Sequence, residues 1–302
     1  MVNIPDLANF YKNLPVLITG SSGFIGQHLV HKLRALSAQI TTLTADIRDR
    51  QSVTRAIIGQ KIIFHLAGHS GAVASNSDPL KDMHINCGGL LTLLEACRDF
   101  NSGVKVVFPS TRLVYGHPQY LPVAETHPTH PTSIYGIHKL TAENYLKLFA
   151  DLYGLTTVSL RITNPYGPVK GLKKRSYGIL NIFMQLALAG ETITIYGDGK
   201  QLRDFIYIDD LINAMLIVGQ SVQISNHVLN VSGEQIISLQ EAANEIVSVI
   251  GRGRVEHVPW PTETQQVETG DFVADITKIK ELTGWQPQIE FKVGLQQILD
   301  SE

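Results

Sequence analysis

The sequence predicts an α/β fold: a doubly wound parallel sheet with a smaller C-terminal lobe. Three observations predict it. Short apolar runs alternate with helical patterns between residues 16 and 161, which implies a parallel sheet covered on both faces. The first run, Pro15-Val16-Leu17-Ile18, leads through a glycine-spaced turn into a helix. After Arg161 the alternation loosens into turn chemistry at Asn164-Pro165-Tyr166-Gly167-Pro168.

The elements follow in order. Residues 16–19 read as the first strand and 23–36 as the first helix, where Phe24, Ile25, Leu29, Val30 and Leu33 recur at helical spacing. Ile40 to Thr44 is a β-branched strand and residues 50–59 a short helix. Lys61 to Ala67 is a buried strand, and Pro79 to Phe100 a long helix with an apolar face through Leu90, Leu93, Leu94 and Cys97. Val104 to Phe108 is a strand, Ser133 to Leu152 a second long helix and Thr156 to Arg161 a strand. Right-handed crossovers make these a doubly wound sheet. Beyond it, residues 169–177 are basic and loop-like, 178–189 helical, and Ile193 to Tyr196 a strand ending at Gly197-Asp198-Gly199. Ser238–Ile250, Asp275–Leu282 and Lys292–Leu299 are helices.

The turn Thr19-Gly20-Ser21-Ser22-Gly23-Phe24-Ile25-Gly26 sits in the strand–turn–helix context of a Rossmann dinucleotide fingerprint, although its spacing is G-x-x-G-x-x-G. Gly20 allows the tight turn, Gly23 lets backbone approach a pyrophosphate, and Gly26 lets helix pack on strand. The helix N-terminus offers free N–H groups to phosphate. Gly20, Ser22, Gly23, Phe24, Ile25 and Gly26 are therefore the candidate cofactor cradle. A strand-to-helix turn with no ligand is the plain alternative.

Composition bounds the rest. With 302 residues, 44% hydrophobic, the chain suits one large domain or a domain with a second lobe. Net charge of −2 gives no basic footprint for nucleic acid. Cys87 and Cys97 read as buried thiols, and two cysteines make no disulfide framework. No apolar stretch reaches the roughly 18 residues of a membrane span, and no signal-peptide core precedes Asn13. A soluble cytoplasmic protein without a metal site is the expectation.

Tyr135-x-x-x-Lys139 carries chemistry. Residues four apart on a helix share a face. A nearby ammonium favours the phenolate and brings the tyrosine closer to work as a general base at neutral pH.

Seven motifs occur in one order: Gly20-x-x-Gly23-x-x-Gly26, Asp46-Ile47-Arg48-Asp49, His65-Leu66-Ala67-Gly68, Pro109-Ser110-Thr111 with Val114-Tyr115-Gly116, Tyr135-x-x-x-Lys139, Asn164-Pro165-Tyr166-Gly167 and Arg203-Asp204-Phe205. Over residues 15–300 the sequence resembles the extended short-chain dehydrogenase/reductase family, specifically its nucleotide-sugar epimerases and dehydratases. The resemblance implies a Rossmann domain over residues 1–163 and a substrate lobe over 164–302, with a segment near 203–219 returning to the first. It implies that Thr111, Tyr135 and Lys139 are catalytic, Lys139 also holding the nicotinamide ribose. Leu66, Ala67 and Gly68 would line the cofactor, and Asn86 would support the site from the central helix. Asp46 and Ile47 would contact the adenine, although Asp46 also reads as the N-cap of the helix from Arg50. For the substrate it implies Asn164 and Arg203 on a diphosphate, Tyr196 beside the base and Asp271 near its ribose. Asp271 also reads as a surface charge. Lys170, Lys173, Lys174 and Arg175 read as a solvated loop or a phosphate-steering one.

The sequence departs from that family in two places, and a third position bears on which reaction it runs. Ala38 to Ala45 holds one strand where relatives have two, and no acid ends it to bind the adenosine ribose. This leaves NAD and NADP open, with NAD favoured as the family's usual cofactor. Glu268 stands where relatives often carry an arginine three residues before the acid aligned with Asp271. Arg112-Leu113 stands where dehydratases carry Asp-Glu and decarboxylases a glutamate. The reading that remains is a nucleotide-sugar epimerase, at C4, working by transient hydride transfer to bound NAD. The alternatives are an NADPH-dependent keto-sugar reductase and a non-catalytic dinucleotide sensor. A homodimer through the two long helices, 80–100 and 133–152, is expected.

Overall fold

A computed structural model describes residues 6–169 and 178–301. The basic stretch Lys170, Lys173, Lys174 and Arg175 lies outside the described residues. A short α1 (Leu7–Tyr11) precedes β1 (Pro15–Thr19), and α2 (Phe24–Ala35) follows the glycine-spaced turn. Then come β2 (Gln39–Leu43), α3 (Arg50–Ile57) and β3 (Ile62–His65). β1 is apolar because both of its faces are covered. Val16 and Ile18 pack into the cluster containing α2, while Leu17 between them packs with Val53 and Ile57 of α3.

Asp49 caps α3, accepting from the Gln51 N–H at 3.1 Å. Asp46 does not cap it, which corrects the capping alternative. Its carboxylate is taken by Arg48 at 2.6 Å.

After α4 (Ala72–Ser77), the long helix expected over Pro79–Phe100 forms in three parts. These are α5 (Pro79–Met83), a π-helical turn at His84–Gly88 and α6 (Gly89–Phe100). The wider turn carries Asn86 and Cys87, both buried. A 3.6-residue periodicity cannot register that extra residue.

β4 (Lys105–Thr111) runs three residues past its expected end, and a 3₁₀ turn at Arg112–Val114 follows. Ser133 caps α7 (Ile134–Tyr153), and Gly154 ends it in the left-handed region at φ 70°. β5 (Thr156–Ile162) and β6 (Asn164–Tyr166) come next. Past them lie α8 (Ile179–Leu188), β7 (Thr192–Tyr196), β8 (Leu202–Tyr207), α9 (Ile208–Gln220), β9 (His227–Val231), β10 (Ile236–Ser238), α10 (Leu239–Ile250) and β11 (Arg254–Val258). The chain closes with α11 (Thr262–Gln265), α12 (Thr277–Thr283) and α13 (Phe291–Ser301).

The main sheet is parallel, in the order β2-β1-β3-β4-β5-β9. Its sixth strand, β9, comes from beyond residue 163, and α9 packs against α2 and β4. The sequence hides β9 because Asn230 interrupts its apolar run. Asn230 is buried there because its side chain is fully used. It accepts from the Tyr115 hydroxyl at 2.7 Å and donates to the Val123 and Asp275 carbonyls. Two small sheets, β10-β8-β6 and β11-β7, build the structure beyond the carboxyl ends of the main strands.

Candidate active site

The cofactor side is made of backbone. β1 ends at Gly20, whose φ of 68° favours glycine, and a side chain there would meet the backbone of Leu66 and Ala67 at 2.6 Å. A side chain at Gly26 would strike the Gly20 carbonyl. At Gly68 it would meet the Asn86 carboxamide at 2.7 Å. Gly23 is the extended N-cap of α2 and uses no side chain to satisfy the first N–H groups of that helix. The helix end is therefore open to an anion. Beside it lies a cavity of about 320 Å³ bounded by Gly20, Gly23, Phe24, Ile25, Gly26, Leu66 and Gly68, and also by Thr111, Tyr135 and Lys139. Residues from four separate stretches thus meet in one place.

Ser22, Asp46, Ile47, Ala67 and Asn86 do not line that cavity. Ala67 donates its N–H to the Thr19 hydroxyl at 3.0 Å. That hydroxyl also shares a hydrogen bond with His65 Nδ1 at 2.9 Å. His65 is neutral, its pKa pushed down to about 3 by burial and then by Lys139. Ile47 is buried against Gly89, with the Asp46–Arg48 pair at the surface beside it. Asn86 acts through the loop after β3, accepting from the His69 N–H and donating to the His69 carbonyl, both at 2.9 Å.

The Tyr135 N–H is held by the Ser75 hydroxyl at 2.9 Å. Lys139, one helical turn on, is buried, and its ammonium donates to the Pro109 carbonyl at 2.8 Å. It lies 4.4 Å from the Phe108 ring centre and 5.7 Å from that of Tyr135. Burial pulls its pKa down to about 8, against the opposing pull of Asp82 and Glu143. Thr111, at the end of β4, is buried on the cavity wall.

Two supports escaped the motifs. Arg161 on β5 and Glu143 on α7 form a buried pair, with Arg161 Nη2 at 2.7 Å from Glu143 Oε2, and the Ser110 hydroxyl also donates to Glu143. Glu143 lies four residues past Lys139, so the helical spacing of Tyr135 and Lys139, carried one turn further, points to it. Asp82 is fully buried and accepts from His138 Nδ1 at 2.6 Å, His69 Nδ1 at 3.0 Å and Asn86 at 2.9 Å. No spacing rule joins those four.

The side expected to take the substrate is made of side chains. Arg203 is buried, donates to the Leu202 and Gly270 carbonyls and pairs with Glu268. Glu268 also accepts the N–H groups of Thr269 and Gly270, each at 2.9 Å. Asn164 donates to the Asp204 carbonyl at 2.9 Å. Asp271 is exposed and accepts the Leu202 N–H at 2.8 Å, so it fastens the start of β8. Tyr196 packs 5.6 Å from Trp260. These two rings and Glu268 border a second cavity, of about 800 Å³, that shares Gly178 with the first.

The comparisons with known proteins decide the family. The profile of the NAD-dependent epimerase/dehydratase family matches residues 16–232. The chain belongs to that family. Among its relatives is a putative UDP-glucose 4-epimerase of Methanocaldococcus jannaschii, 31% identical over 306 residues that span 94% of this chain and 97% of that one. A UDP-glucose 4-epimerase of Thermotoga maritima, solved with UDP-glucose, superposes with a TM-score of 0.87 at 29% identity, covering 95% of this chain and 98% of that one. The UDP-glucose 4-epimerase of Thermus thermophilus, solved with NAD, gives 0.85 at 28% identity, with 95% and 98% covered.

The cofactor of this NAD-dependent enzyme family is NAD. The geometry fits it. The open end of α2 offers N–H groups to a pyrophosphate, and the glycines at 20 and 26 let the turn close tightly where any side chain would strike neighbouring backbone. Among the described residues no group of three or more His, Cys, Asp or Glu side chains is placed to hold a metal, and no helix is long and apolar enough to cross a membrane.

Proposed function

We propose that this protein is a nucleotide-sugar epimerase that inverts C4 through a keto-sugar intermediate. One observation carries the reading. Thr111, Tyr135 and Lys139 share the wall of the glycine-lined cavity, while the two positions after Thr111 are Arg112 and Leu113, with no carboxyl group for elimination or decarboxylation. The two UDP-glucose 4-epimerase structures that superpose on the chain support the same reaction.

The chemistry divides simply. NAD, when bound, takes up hydrogen from carbon as hydride and gives it back. Tyr135 removes the hydroxyl proton as the carbonyl forms and returns it when the carbonyl is reduced. The Lys139 ammonium, near the Tyr135 ring, favours the phenolate in that exchange. Thr111 orients the reacting hydroxyl. Gly20, Ser22, Gly23, Phe24, Ile25, Gly26, Leu66, Ala67, Gly68 and Lys139 would hold the dinucleotide, with Asp46 and Ile47 toward its adenine and Asn86 bracing the loop beneath. Asn164, Arg203, Tyr196 and Asp271 belong to the nucleotide-sugar side, in a lobe drawn mainly from residues 164–302. The ketone must turn over between oxidation and reduction to present its other face.

The test is a product assay. UDP-glucose and UDP-galactose, followed by NMR, should interconvert with no net change in nicotinamide absorbance. Consumption of added NADPH in step with product would make the protein a reductase.

We also propose a homodimer. α6 and α7 leave Phe100, Ile137, Leu148, Leu152 and Tyr153 exposed, an apolar face that a second copy would cover. Sedimentation at micromolar concentration should give twice the 33.3 kDa chain mass, and a monomer would end the proposal.

A further inference from the structure

The loop after β3 passes from one cavity to the other, and a histidine stands on it. Gly68, His69, Ser70 and Gly71 line the glycine-bounded cavity together with Thr111 and Tyr135. The next two residues, Ala72 and Val73, line the second cavity.

What His69 shows to its cavity is its ring. Both of its backbone polar groups are held by the Asn86 carboxamide, which does not line the cavity. The ring is held at one edge, where Nδ1 meets Asp82 Oδ2 at 3.0 Å. The other oxygen of that carboxylate, Oδ1, takes His138 Nδ1 at 2.6 Å and the Asn86 amide at 2.9 Å. An ionised carboxylate accepts and does not donate, so the bond to Asp82 keeps the His69 proton on Nδ1 and leaves Nε2 with a free lone pair. The Asp82 side chain is 0% exposed and that of His69 24%. With the Nδ1 edge turned to a buried group, the open part of the ring is the Nε2 edge. Among the described residues Nε2 meets no hydrogen-bond partner, and it is not sealed from solvent. A polar atom fixed in direction by a buried partner and left open on a cavity wall is suited to orient a ligand.

We propose that His69 is a specificity-determining residue whose Nε2 bonds a hydroxyl of the sugar other than the one that Tyr135 deprotonates. The proposal rests on the nucleotide-sugar reading above and narrows it to sugars that keep that hydroxyl free. On that reading the sugar runs from Thr111 and Tyr135 toward the second cavity, and so passes this loop.

Two substitutions divide the work of the ring. His69→Asn places an amide near the Nδ1 position, where it can still donate to Asp82, and has nothing at Nε2. His69→Gln places its amide near Nε2 and gives up Nδ1. Bare UDP, dTDP, GDP and CDP, titrated by calorimetry into the NAD-loaded protein, identify the nucleotide. Glucose on that nucleotide is then compared with its 2-deoxy, 3-deoxy and 6-deoxy forms. Wild type should bind one deoxy form about threefold to tenfold more weakly than glucose, the effect of a single hydrogen bond. His69→Asn should erase that difference while holding NAD and the bare nucleotide as wild type does, and His69→Gln should keep part of it. If His69→Gln loses the difference and His69→Asn keeps it, the ring serves Asp82 alone and the proposal is wrong. It is equally wrong if His69→Asn loses NAD or the bare nucleotide, or if wild type distinguishes none of the deoxy forms. That last result stands even if neither variant folds. If NAD binds but no bare nucleoside diphosphate does, the nucleotide-sugar reading itself fails and the proposal falls with it.

Discussion

The two halves of the cleft are built from different material. Under the cofactor, the surface is backbone: Gly20 with its left-handed φ, Gly26 against the Gly20 carbonyl, and the open end of α2. On the side proposed for the substrate, it is side chains tied to one another: Arg203 to Glu268 and Tyr196 to Trp260. A backbone surface depends on spacing and on the absence of side chains, so few single substitutions re-shape it without disturbing the turn. A side-chain surface can change its ligand by single substitutions. The proposed catalytic residues Tyr135, Lys139 and Thr111 line the glycine-bounded cavity and form the seam of the proposed site.

The largest expected effect is at the seam. Tyr135→Phe should lower kcat by about 10²–10⁴ while leaving both NAD and UDP-sugar affinity near wild type. Calorimetry beside the NMR product assay checks it. Binding lost together with turnover would show that the ring, and not its hydroxyl, is what matters.

Glu143→Ala comes next. It strips a buried guanidinium of its partner, which costs about 3–5 kcal/mol of stability. Urea unfolding should show a lower midpoint at unchanged slope. A shift below about 1 kcal/mol would mean that Arg161 finds other acceptors.

A pair of variants sharpens the contrast between the halves. Gly23→Val should weaken NAD by about tenfold or more, through lost N–H contacts to phosphate, and spare UDP. Glu268→Gln should do the reverse, because it releases Arg203 from its ion pair and changes nucleotide-sugar affinity by about tenfold. If both variants alter both ligands, the halves are not independent.

The same contrast governs what was legible beforehand. The glycine turn and the Tyr135–Lys139 pair showed because local spacing encodes them. The central strands β1 and β3 showed because burial on both faces keeps their runs apolar. β9 did not, since its Asn230 satisfies partners on Tyr115, Val123 and Asp275 that lie far away in sequence. The π-helical turn at His84–Gly88 was invisible to a fixed period. Glu268 looked like a missing phosphate contact, and only the fold shows it bound to Arg203. Asp46 had two readings, and only the fold shows Asp49 as the cap.

The central claim is that the hydrogen leaving the sugar carbon is the one that returns, with Tyr135 exchanging only the hydroxyl proton. Running the UDP-sugar interconversion in D₂O and reading the product by proton NMR tests it most directly. Product carrying protium at C4, with no deuterium at any ring carbon and no net NADH, is the predicted result. Deuterium at C4 or C5, or a 4-keto-6-deoxy product, would contradict it.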